Sequence, residues 1–234
     1  MNKVLVITGA SRGIGLATAK HFIEQDYNVI NLSRTACAVD GVSNLVVDLL
    51  DEAWPEQCAT SLINAVGSPE QLVLIHNAGL LTKDRVDDID IDVLRQVLQL
   101  NVIASAQLNK LLIPKMTEGS SVLYVSSTLG TKAVTNSHAY VISKHAVVGQ
   151  MRATCQDLAG TKIHTACVCP GFTETEMLTD HLSQNPEILK RITSMIAHER
   201  LVQPKEIAET LWFCSQSAVI NGTLIHANLG QIER

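Results

Sequence analysis

The sequence lacks the long apolar run and the basic cluster that membrane proteins and nucleic-acid-binding proteins require. Its apolar runs, such as Val4–Ile7 and Leu72–Ile75, have the length of strands, whereas a membrane-spanning helix needs about 20 residues. One lysine and four apolar residues precede Thr8, too short a stretch for a signal-peptide core. The net charge of −5 provides no positive face for nucleic acid. We therefore predict a cytoplasmic protein with no membrane and no nucleic-acid partner.

The cysteines lack the spacing of a zinc site or of a C-x-x-C pair, so no metal site is expected. Two of them, Cys167 and Cys169, lie two residues apart in a predicted strand, and their side chains then face the same way. A redox pair is one interpretation, but small buried side chains in a reducing cytosol are the favoured one. That interpretation covers all six: Cys37, Cys58, Cys155, Cys167, Cys169 and Cys214.

The 234 residues have a globular composition, 46% apolar and 18% charged, without a repeat or a Pro/Gly/Ser linker. The predicted strands are Lys3–Thr8, Asn28–Ser33, Asn44–Val47, Gln71–His76, Ser120–Ser126, Lys162–Val168 and Thr223–Ala227. The predicted helices between them are Ile14–Gln25, Glu52–Val66, Val93–Ile113, His138–Leu158, Pro186–Ala197 and Pro204–Gln216. Most of the strands are continuous apolar runs, which is typical of parallel strands covered on both faces. This rhythm predicts one α/β domain over residues 1–234: a doubly wound parallel sheet of about seven strands with helices on both faces.

The stretch from Phe172 to Arg200 interrupts this rhythm. Ligands of open α/β sheets bind beyond the carboxyl ends of the strands, where an insertion can form a lid or a substrate wall. A surface excursion without function explains the same residues equally well. We expect a substrate lid at about 172–200.

A glycine-rich turn follows the first predicted strand and leads into a helix. Its sequence is Thr8-Gly9-Ala10-Ser11-Arg12-Gly13-Ile14-Gly15. Glycines allow a tight turn and a close approach of backbone N–H groups to a pyrophosphate, and the helix N-terminus favours the negative charge. The spacing differs from the common G-x-G-x-x-G fingerprint, and a glycine turn without a ligand is the alternative. The context of strand, turn and helix favours a dinucleotide site.

The end of the second predicted strand indicates which dinucleotide is bound. A site for NAD usually has a carboxylate there for the ribose hydroxyls, and this chain has Arg34 instead. Arg34 and the loop residue Arg12 can both bind a 2′-phosphate through paired N–H donors, which favours NADP(H). The alternative is that both are solvated surface cations.

Two further strand ends carry candidate residues. Asp48 follows the third predicted strand and can accept a hydrogen bond from an adenine amino group, although capping of the next helix is nearly as good an interpretation. The turn Asn77-Ala78-Gly79 follows the fourth strand and places small residues beside a cofactor ribose. His76 precedes this turn, and we interpret it as a packing residue at the strand end and not as a catalytic base.

The strongest signal for chemistry combines Ser127, Tyr140 and Lys144. Tyr140 and Lys144 lie four residues apart in a predicted helix and share one face. A tyrosine ordinarily titrates near about 10, and a nearby ammonium together with an oxidised nicotinamide favours tyrosinate. We therefore expect a phenol that exchanges protons with an alkoxide near neutral pH. Ser127, after the fifth strand, would hold the substrate oxygen.

Together these motifs resemble the short-chain dehydrogenase/reductase family, in its compact single-domain, Rossmann-like form. The matching segments cover almost the whole chain: TGASRGIG at 8–15, HNAG at 76–79, LQLNV around Asn101, VSS at 125–127, YVISK at 140–144, PGFTET at 170–175 and INGTLIHANLG at 220–230. The resemblance implies the catalytic set Asn101, Ser127, Tyr140 and Lys144. In this set Asn101 would hold a water in a proton relay from Lys144 to solvent, although a plain hydrogen-bonding asparagine within a helix fits the pattern as well.

The resemblance also implies the cofactor contacts and the assembly. With the residues already argued, the cofactor set is Gly9, Ser11, Arg12, Gly13, Ile14, Gly15, Arg34, Asp48, Leu49, Asn77, Ala78, Gly79, Tyr140, Lys144, Pro170, Gly171, Thr173 and Thr175. A homodimer or homotetramer is expected, built partly on the helix that contains Tyr140. Two departures from the family pattern are His76, where asparagine is frequent, and Asn228-Leu229-Gly230, where a glycine pair is usual. Neither removes a catalytic group.

The residues thus predict an NADP-dependent oxidoreductase that acts on a small carbonyl or alcohol substrate. Reduction is the expected direction because cells keep NADPH reduced. A non-catalytic NADP-binding sensor or scaffold is the alternative, and the intact catalytic set argues against it. A methyltransferase would need an acid at the end of the second strand and has no use for YVISK. Epimerases and dehydratases with the same tyrosine generally have a larger C-terminal substrate region.

Overall fold

The computed structural model describes residues 2–178 and 186–232. Its strands are β1 (Lys3–Thr8), β2 (Asn28–Ser33), β3 (Ser43–Val46), β4 (Gln71–His76), β5 (Ser121–Val125), β6 (His164–Pro170) and β7 (Thr223–Ala227). All pairings are parallel, and the strand order is β3-β2-β1-β4-β5-β6-β7. The order reverses between β1 and β4, which opens a crevice at the carboxyl ends of these two strands. The predicted doubly wound parallel sheet is confirmed.

The helices of the described residues cover both faces of the sheet. They are α1 (Gly13–Ile23), α2 (Trp54–Val66), α3 (Ile91–Leu98), α4 (Ala104–Leu112), α5 (His138–Asp157), α6 (Pro186–Thr193) and α7 (Pro204–Gln216). Along β1, Val4 and Val6 pack toward α2, α4 and α5, whereas Leu5 and Ile7 pack toward α1 and α7. Because both faces of the central strands are buried, their sequences are continuous apolar runs.

Four of the seven predicted strands agree with the structure at both ends. For the sixth strand, the backbone conformation and the strand pairing explain why the predicted ends differ from the observed ones. The predicted strand Lys162–Val168 lies instead at His164–Pro170, because Lys162 has a φ of +59°, which a strand cannot contain. β6 reaches Pro170 because parallel pairing with β7 continues to Ala227. The predicted single helix Val93–Ile113 is divided into α3 and α4 by a π-helical turn, Gln99–Ile103.

Candidate active site

A cavity of about 1070 Å³ opens at the carboxyl ends of the strands. Every residue predicted to bind the cofactor lines it: Gly9, Ser11, Arg12, Gly13, Ile14, Gly15, Arg34, Asp48, Leu49, Asn77, Ala78, Gly79, Tyr140, Lys144, Pro170, Gly171, Thr173 and Thr175. Ser127 lines it as well, and Asn101 does not. The fold thus brings together residues from six strand ends that are up to 166 positions apart in sequence, from Gly9 to Thr175.

The glycine-rich turn is held in place by side chains of its neighbours. Asn77 donates through Nδ2 to the carbonyls of Thr8 and Gly9, at 3.0 and 3.1 Å. In return, the Thr8 hydroxyl accepts from the backbone N–H groups of Asn77 and Ala78, each at 3.0 Å. Gly9 and Gly13 have φ of +72° and +55°, in the region that favours glycine. The turn therefore has a fixed backbone that leads into the N-terminus of α1.

A buried asparagine on β2 adds a second support that sequence reasoning missed. The side chain of Asn31 accepts from the backbone N–H of Ala10 at 2.9 Å and donates to Ser33 and Asn44. It is a polar residue between Ile30 and Leu32 in an otherwise apolar strand. A buried polar side chain requires partners, and this one ties β3 and the glycine-rich turn to β2.

The end of the cavity beside β2 and β3 carries positive side chains. Arg12 and Arg34 are exposed on the cavity wall, and within the described part of the chain neither forms an ion pair with a carboxylate. Asp48 accepts from the N–H of Leu50 at 3.0 Å and forms a local turn. The interpretation of Asp48 as a helix cap is wrong, since α2 begins at Trp54 after Ala53.

The predicted catalytic side chains meet at the opposite end of the cavity. Tyr140 and Lys144 lie one turn apart on α5, and Lys144 Nζ is 5.5 Å from the centroid of the Tyr140 ring. Lys144 is only 4% exposed, and its ammonium donates to the carbonyl of Val125 at 2.9 Å. Ser127 begins the short helical turn after β5, and its hydroxyl lies near enough to the Tyr140 hydroxyl to lower the pKa of the phenol. The hydroxyl groups of Ser127 and Tyr140 and the ammonium of Lys144 therefore lie close together on the cavity wall.

Asn101 lies behind this wall, in the π-helical turn and not in a regular α-helix. Its side-chain oxygen accepts from the N–H of Leu80 at 2.7 Å, and its Nδ2 donates to the Leu80 carbonyl and to Ser143 Oγ at 3.1 and 2.8 Å. Lys144 Nζ and Asn101 Oδ1 both lie against the α-carbon of Gly79, within 3.6 Å of where a β-carbon would stand. Asn101 thus fixes the chain after Gly79 and the adjacent turn of α5.

Comparison with known proteins decides between the classes that such a site allows. A family model described as enoyl-(acyl carrier protein) reductase matches residues 9–231. The chain belongs to the short-chain dehydrogenase/reductase family. It is an oxidoreductase of this family, an enzyme that acts on CH–OH or C=O groups of a small molecule with a nicotinamide cofactor.

Similar proteins match this short-chain dehydrogenase/reductase over nearly its full length. Carbonyl reductase family member 4 of Xenopus tropicalis is 28% identical over 237 residues, 96% of each chain. The 3-oxoacyl-(acyl-carrier-protein) reductase FabG of Thermotoga maritima is 28% identical over 249 residues, 98% of each chain. The crystal structure of a short chain dehydrogenase family protein from Francisella tularensis subsp. tularensis SCHU S4 has a TM-score of 0.90 and 28% identity over 99% of each chain. Within residues 2–178 and 186–232, none of the helices combines the length and the hydrophobicity of a transmembrane segment.

The structure corrects the expected proton affinity of the tyrosine in this short-chain dehydrogenase/reductase. Burial raises the pKa of Tyr140 to about 12, and the nearby hydroxyl of Ser127 opposes this shift only in part. Burial likewise lowers the pKa of Lys144 to about 8. The expected contribution of Lys144 to an acidic phenol is therefore not seen, because the ammonium is directed at Val125 and the loss of water dominates for both groups. The contribution of an oxidised nicotinamide, which was expected together with it, stays a prediction.

Replacing Lys144 by methionine is expected to stabilise the protein near pH 7. The folded-state pKa of about 8 lies below the ordinary 10.5, so the buried ammonium opposes folding by up to about 3 kcal/mol at pH 7. Between pH 8 and 10 the folded state releases this proton first, and the stability of the unchanged protein rises with pH. The variant lacks this rise. Urea unfolding at pH 7 and pH 9 measures both effects.

The matched control is Lys110→Met, which removes an exposed lysine from α4. It should leave both the stability and its pH dependence unchanged within about 0.5 kcal/mol. If the stability of Lys144→Met rose between pH 7 and pH 9 as much as that of the unchanged protein, the buried ammonium would not have the lowered pKa.

Beyond the predicted site residues, the cavity has an apolar wall with polar positions. Its apolar side chains are Leu81, Leu129, Val134, Phe172, Met177 and Leu178. In the segment before α5, Asn136 lines the cavity, whereas Lys132 and His138 do not. The expected lid at 172–200 is described at 172–178 and 186–200, where Arg191 on α6 also faces the cavity. The remaining part of that range lies outside the described residues.

Gln231 is a cavity residue that sequence reasoning missed. The segment before it turns at Leu229 and Gly230, whose φ values are +53° and +70°. It then pairs with the residues after α6: Ala197 donates to the carbonyl of Gly230 at 3.1 Å, and Ile232 donates to that of Met195 at 2.7 Å. Nothing in the local sequence signals this return of the chain. The positive φ at Leu229 and Gly230 is the conformation that glycine adopts most easily, which agrees with the glycine pair that the resemblance leads one to expect in this segment.

Proposed function

We propose that this enzyme is an NADP(H)-dependent reductase of ketones or aldehydes, with Tyr140 as its general acid and base and residues 1–234 as one cofactor-binding domain. The observation that carries the proposal is one cavity with two groups of side chains. At one end lie a clamped glycine-rich turn and two arginines that form no ion pair with any described residue, and at the other end lie Ser127, Tyr140 and Lys144. The relatives named as carbonyl and 3-oxoacyl reductases support the reduction of a carbonyl.

The residues present fit a dinucleotide with a 2′-phosphate. The clamped turn leaves no room for a side chain at Gly15 and directs the N-terminus of α1 toward the pyrophosphate position. Arg12 and Arg34 would hold the 2′-phosphate, Asp48 and Leu49 would border the adenine, and Pro170 to Thr175 would hold the nicotinamide. When bound, the reduced nicotinamide supplies the hydride for the carbonyl carbon.

The protein's own groups supply the proton. Ser127 would hold the carbonyl oxygen with its hydroxyl hydrogen while negative charge develops there. A phenol with a raised pKa keeps its proton at neutral pH, so Tyr140 is set to donate it to the forming alkoxide. Lys144 would stabilise the tyrosinate left behind, and Asn101 would connect it to water. The protonated phenol is the form that carbonyl reduction requires.

The test is NADPH oxidation followed with a panel of ketones, aldehydes and 3-oxoacyl thioesters. A reductase shows turnover with at least one of them, and Tyr140→Phe abolishes that turnover. Binding of NADPH without turnover across the panel would favour the sensor or scaffold. Light scattering after gel filtration tests the proposed homodimer or homotetramer.

Arg34→Ala is expected to raise the KM for NADPH by about ten- to hundredfold and to change that for NADH by less than about twofold. A charge-assisted hydrogen bond contributes about 1.5–3 kcal/mol, and only NADPH has the phosphate that Arg34 would bind. Steady-state kinetics with both cofactors measures the split. The control is Arg152→Ala, which removes an exposed arginine on α5 outside the cavity. A preference of the unchanged enzyme for NADH would contradict the assignment.

A further inference from the structure

A chamber of about 10 Å³ lies behind the active site, between the sheet and the turn that joins α3 to α4. This volume corresponds to about one water molecule. Ala78 and Val125 line both the chamber and the large cavity, so the two are separated by a single layer of residues. The polar residues around the chamber are Thr8, His76, Asn101 and Ser105, with the Tyr124 ring as one wall.

The hydrogen bonds of His76 determine which ring nitrogen carries the proton. These bonds form a chain that begins at Thr154, whose Oγ1 donates to the carbonyl of Gln150 at 2.9 Å. Tyr124 must then donate to Thr154 and accept from Nδ2 of Asn109, at 2.9 and 2.7 Å. This leaves Asn109 Oδ1 facing His76 Nε2 at 2.8 Å. An amide oxygen only accepts, so Nε2 carries the hydrogen.

His76 Nδ1 is consequently a hydrogen-bond acceptor. The side chain is 7% exposed, and Nδ1 is buried without a partner among the described residues. Burial lowers the pKa of His76 to about 4, so the ring is neutral at physiological pH. A buried acceptor without a partner is costly, and polar groups in this position usually bind a water.

Thr8 supplies the complementary donor. The parallel register pairs Ile7 with Ile75, which places Thr8 next to His76 on the same face of the sheet. Thr8 Oγ1 accepts from two backbone N–H groups, those of Asn77 and Ala78, so both of its lone pairs are used. Its own hydroxyl hydrogen is left to point elsewhere. The chamber therefore has a donor on β1 and an acceptor on β4.

We propose that Thr8 and His76 bind one ordered water in this chamber, and that His76 is thereby a positioning residue for the proton transfer of the proposed function, on which this role rests. The water accepts from the Thr8 hydroxyl and donates to His76 Nδ1. This fixes the rotation of the hydroxyl that holds Asn77 and Ala78. The next residue, Gly79, lies against both Lys144 Nζ and Asn101.

Loss of the water acts on the active site through Thr8. Without the water, the hydroxyl of Thr8 rotates so that its hydrogen reaches another acceptor. One of the two backbone N–H groups that donate to this hydroxyl then loses its partner. The segment Ala78–Gly79 then shifts against Lys144. Since errors of about 1 Å in a catalytic arrangement cost up to about a hundredfold in rate, the expected loss is about ten- to hundredfold in kcat.

The experiment uses His76→Leu, His76→Asn and, as a control, His164→Leu. Leucine fills the space but cannot accept, whereas asparagine retains an acceptor. The control makes the same change at a buried histidine of β6 that lines neither the chamber nor the large cavity, and whose Nε2 lies 2.8 Å from the carbonyl oxygen of Cys214. We expect His76→Leu to lower kcat by about ten- to hundredfold with KM for NADPH changed less than about twofold, and His76→Asn to recover most of the rate. His164→Leu should keep the kcat of the unchanged enzyme.

Two measurements do not depend on catalysis. A high-resolution crystal structure should show one water within hydrogen-bond distance of Thr8 Oγ1 and His76 Nδ1, absent in His76→Leu. Nitrogen NMR of labelled histidine should show the Nε2–H tautomer for His76. A chamber without this water, or an Nδ1–H tautomer, overturns the binding site. If His76→Leu loses the water and kcat is unchanged, the positioning role is wrong. If the unchanged enzyme turns over none of the carbonyl compounds, only the proposed function is wrong.

Discussion

Tyr140→Phe is expected to lower kcat by about 10²–10⁴-fold while cofactor affinity changes less than about twofold. The phenyl ring retains the packing of tyrosine and its place 5.5 Å from Lys144 Nζ, and it loses only the group that gives up the proton. Turnover at saturating cofactor and carbonyl, together with NADPH titration by fluorescence, separates the two quantities.

The control for this substitution is Tyr27→Phe. Tyr27 is also buried and hydrogen-bonded, with its hydroxyl 2.7 Å from Gln71 Oε1, but it lies at the start of β2, away from the cavity. Its loss should cost about 1 kcal/mol of stability and leave kcat unchanged. If Tyr140→Phe retained more than about a tenth of the kcat, another group would have to supply the proton, and the role of Tyr140 would be wrong.

Gly15→Ala is expected to abolish measurable dinucleotide binding and to lower the free energy of unfolding by about 3–5 kcal/mol. A β-carbon at this position would lie 2.2 Å from the carbonyl oxygen of Gly9 and 2.6 Å from Asn77 Nδ2. Neither neighbour can withdraw without releasing the bonds that clamp the turn. Urea unfolding and NADPH titration measure the two losses.

Gly149→Ala is the matched control because it makes the same change within a helix. Gly149 lies in α5, where a β-carbon would have no heavy atom within 4 Å. Alanine is the better helix former, so this variant should be more stable by about 0.5–1 kcal/mol with unchanged binding. Equal stability of the two variants would show that the turn can accommodate a side chain.

The sheet could be predicted from the sequence because its strands are buried on both faces and therefore apolar throughout. Their ends were harder to place where the backbone leaves the strand for local reasons. Lys162 has a positive φ, which residue type does not indicate, and the true strand begins two residues later at His164. The π-helical turn at Gln99–Ile103 does not interrupt the apolar pattern of α3 and α4, so the sequence predicts one helix where the structure has three segments.

The residues of the candidate site were accessible to sequence reasoning because each follows a strand, and parallel strands end at one edge of the sheet. Their protonation was not accessible, since it depends on burial and on where an ammonium points. The pKa of Tyr140 therefore rises where proximity to Lys144 alone predicts a fall. Gln231 reaches the cavity because its segment pairs with residues after α6. The apolar periodicity of the sequence does not indicate such a pairing.

The side chains that clamp the glycine-rich turn bear on how the enzyme meets its cofactor. Because Asn31, Thr8 and Asn77 hold the turn with bonds internal to the protein, the backbone that would receive the phosphates in the proposed function is preorganised. Little conformational entropy is then lost at that surface on binding, and more of the interaction energy appears as affinity. In the proposed function, encounter with the cofactor would be governed by diffusion and by the attraction of Arg12 and Arg34 for an anion, without a slow ordering step of the turn.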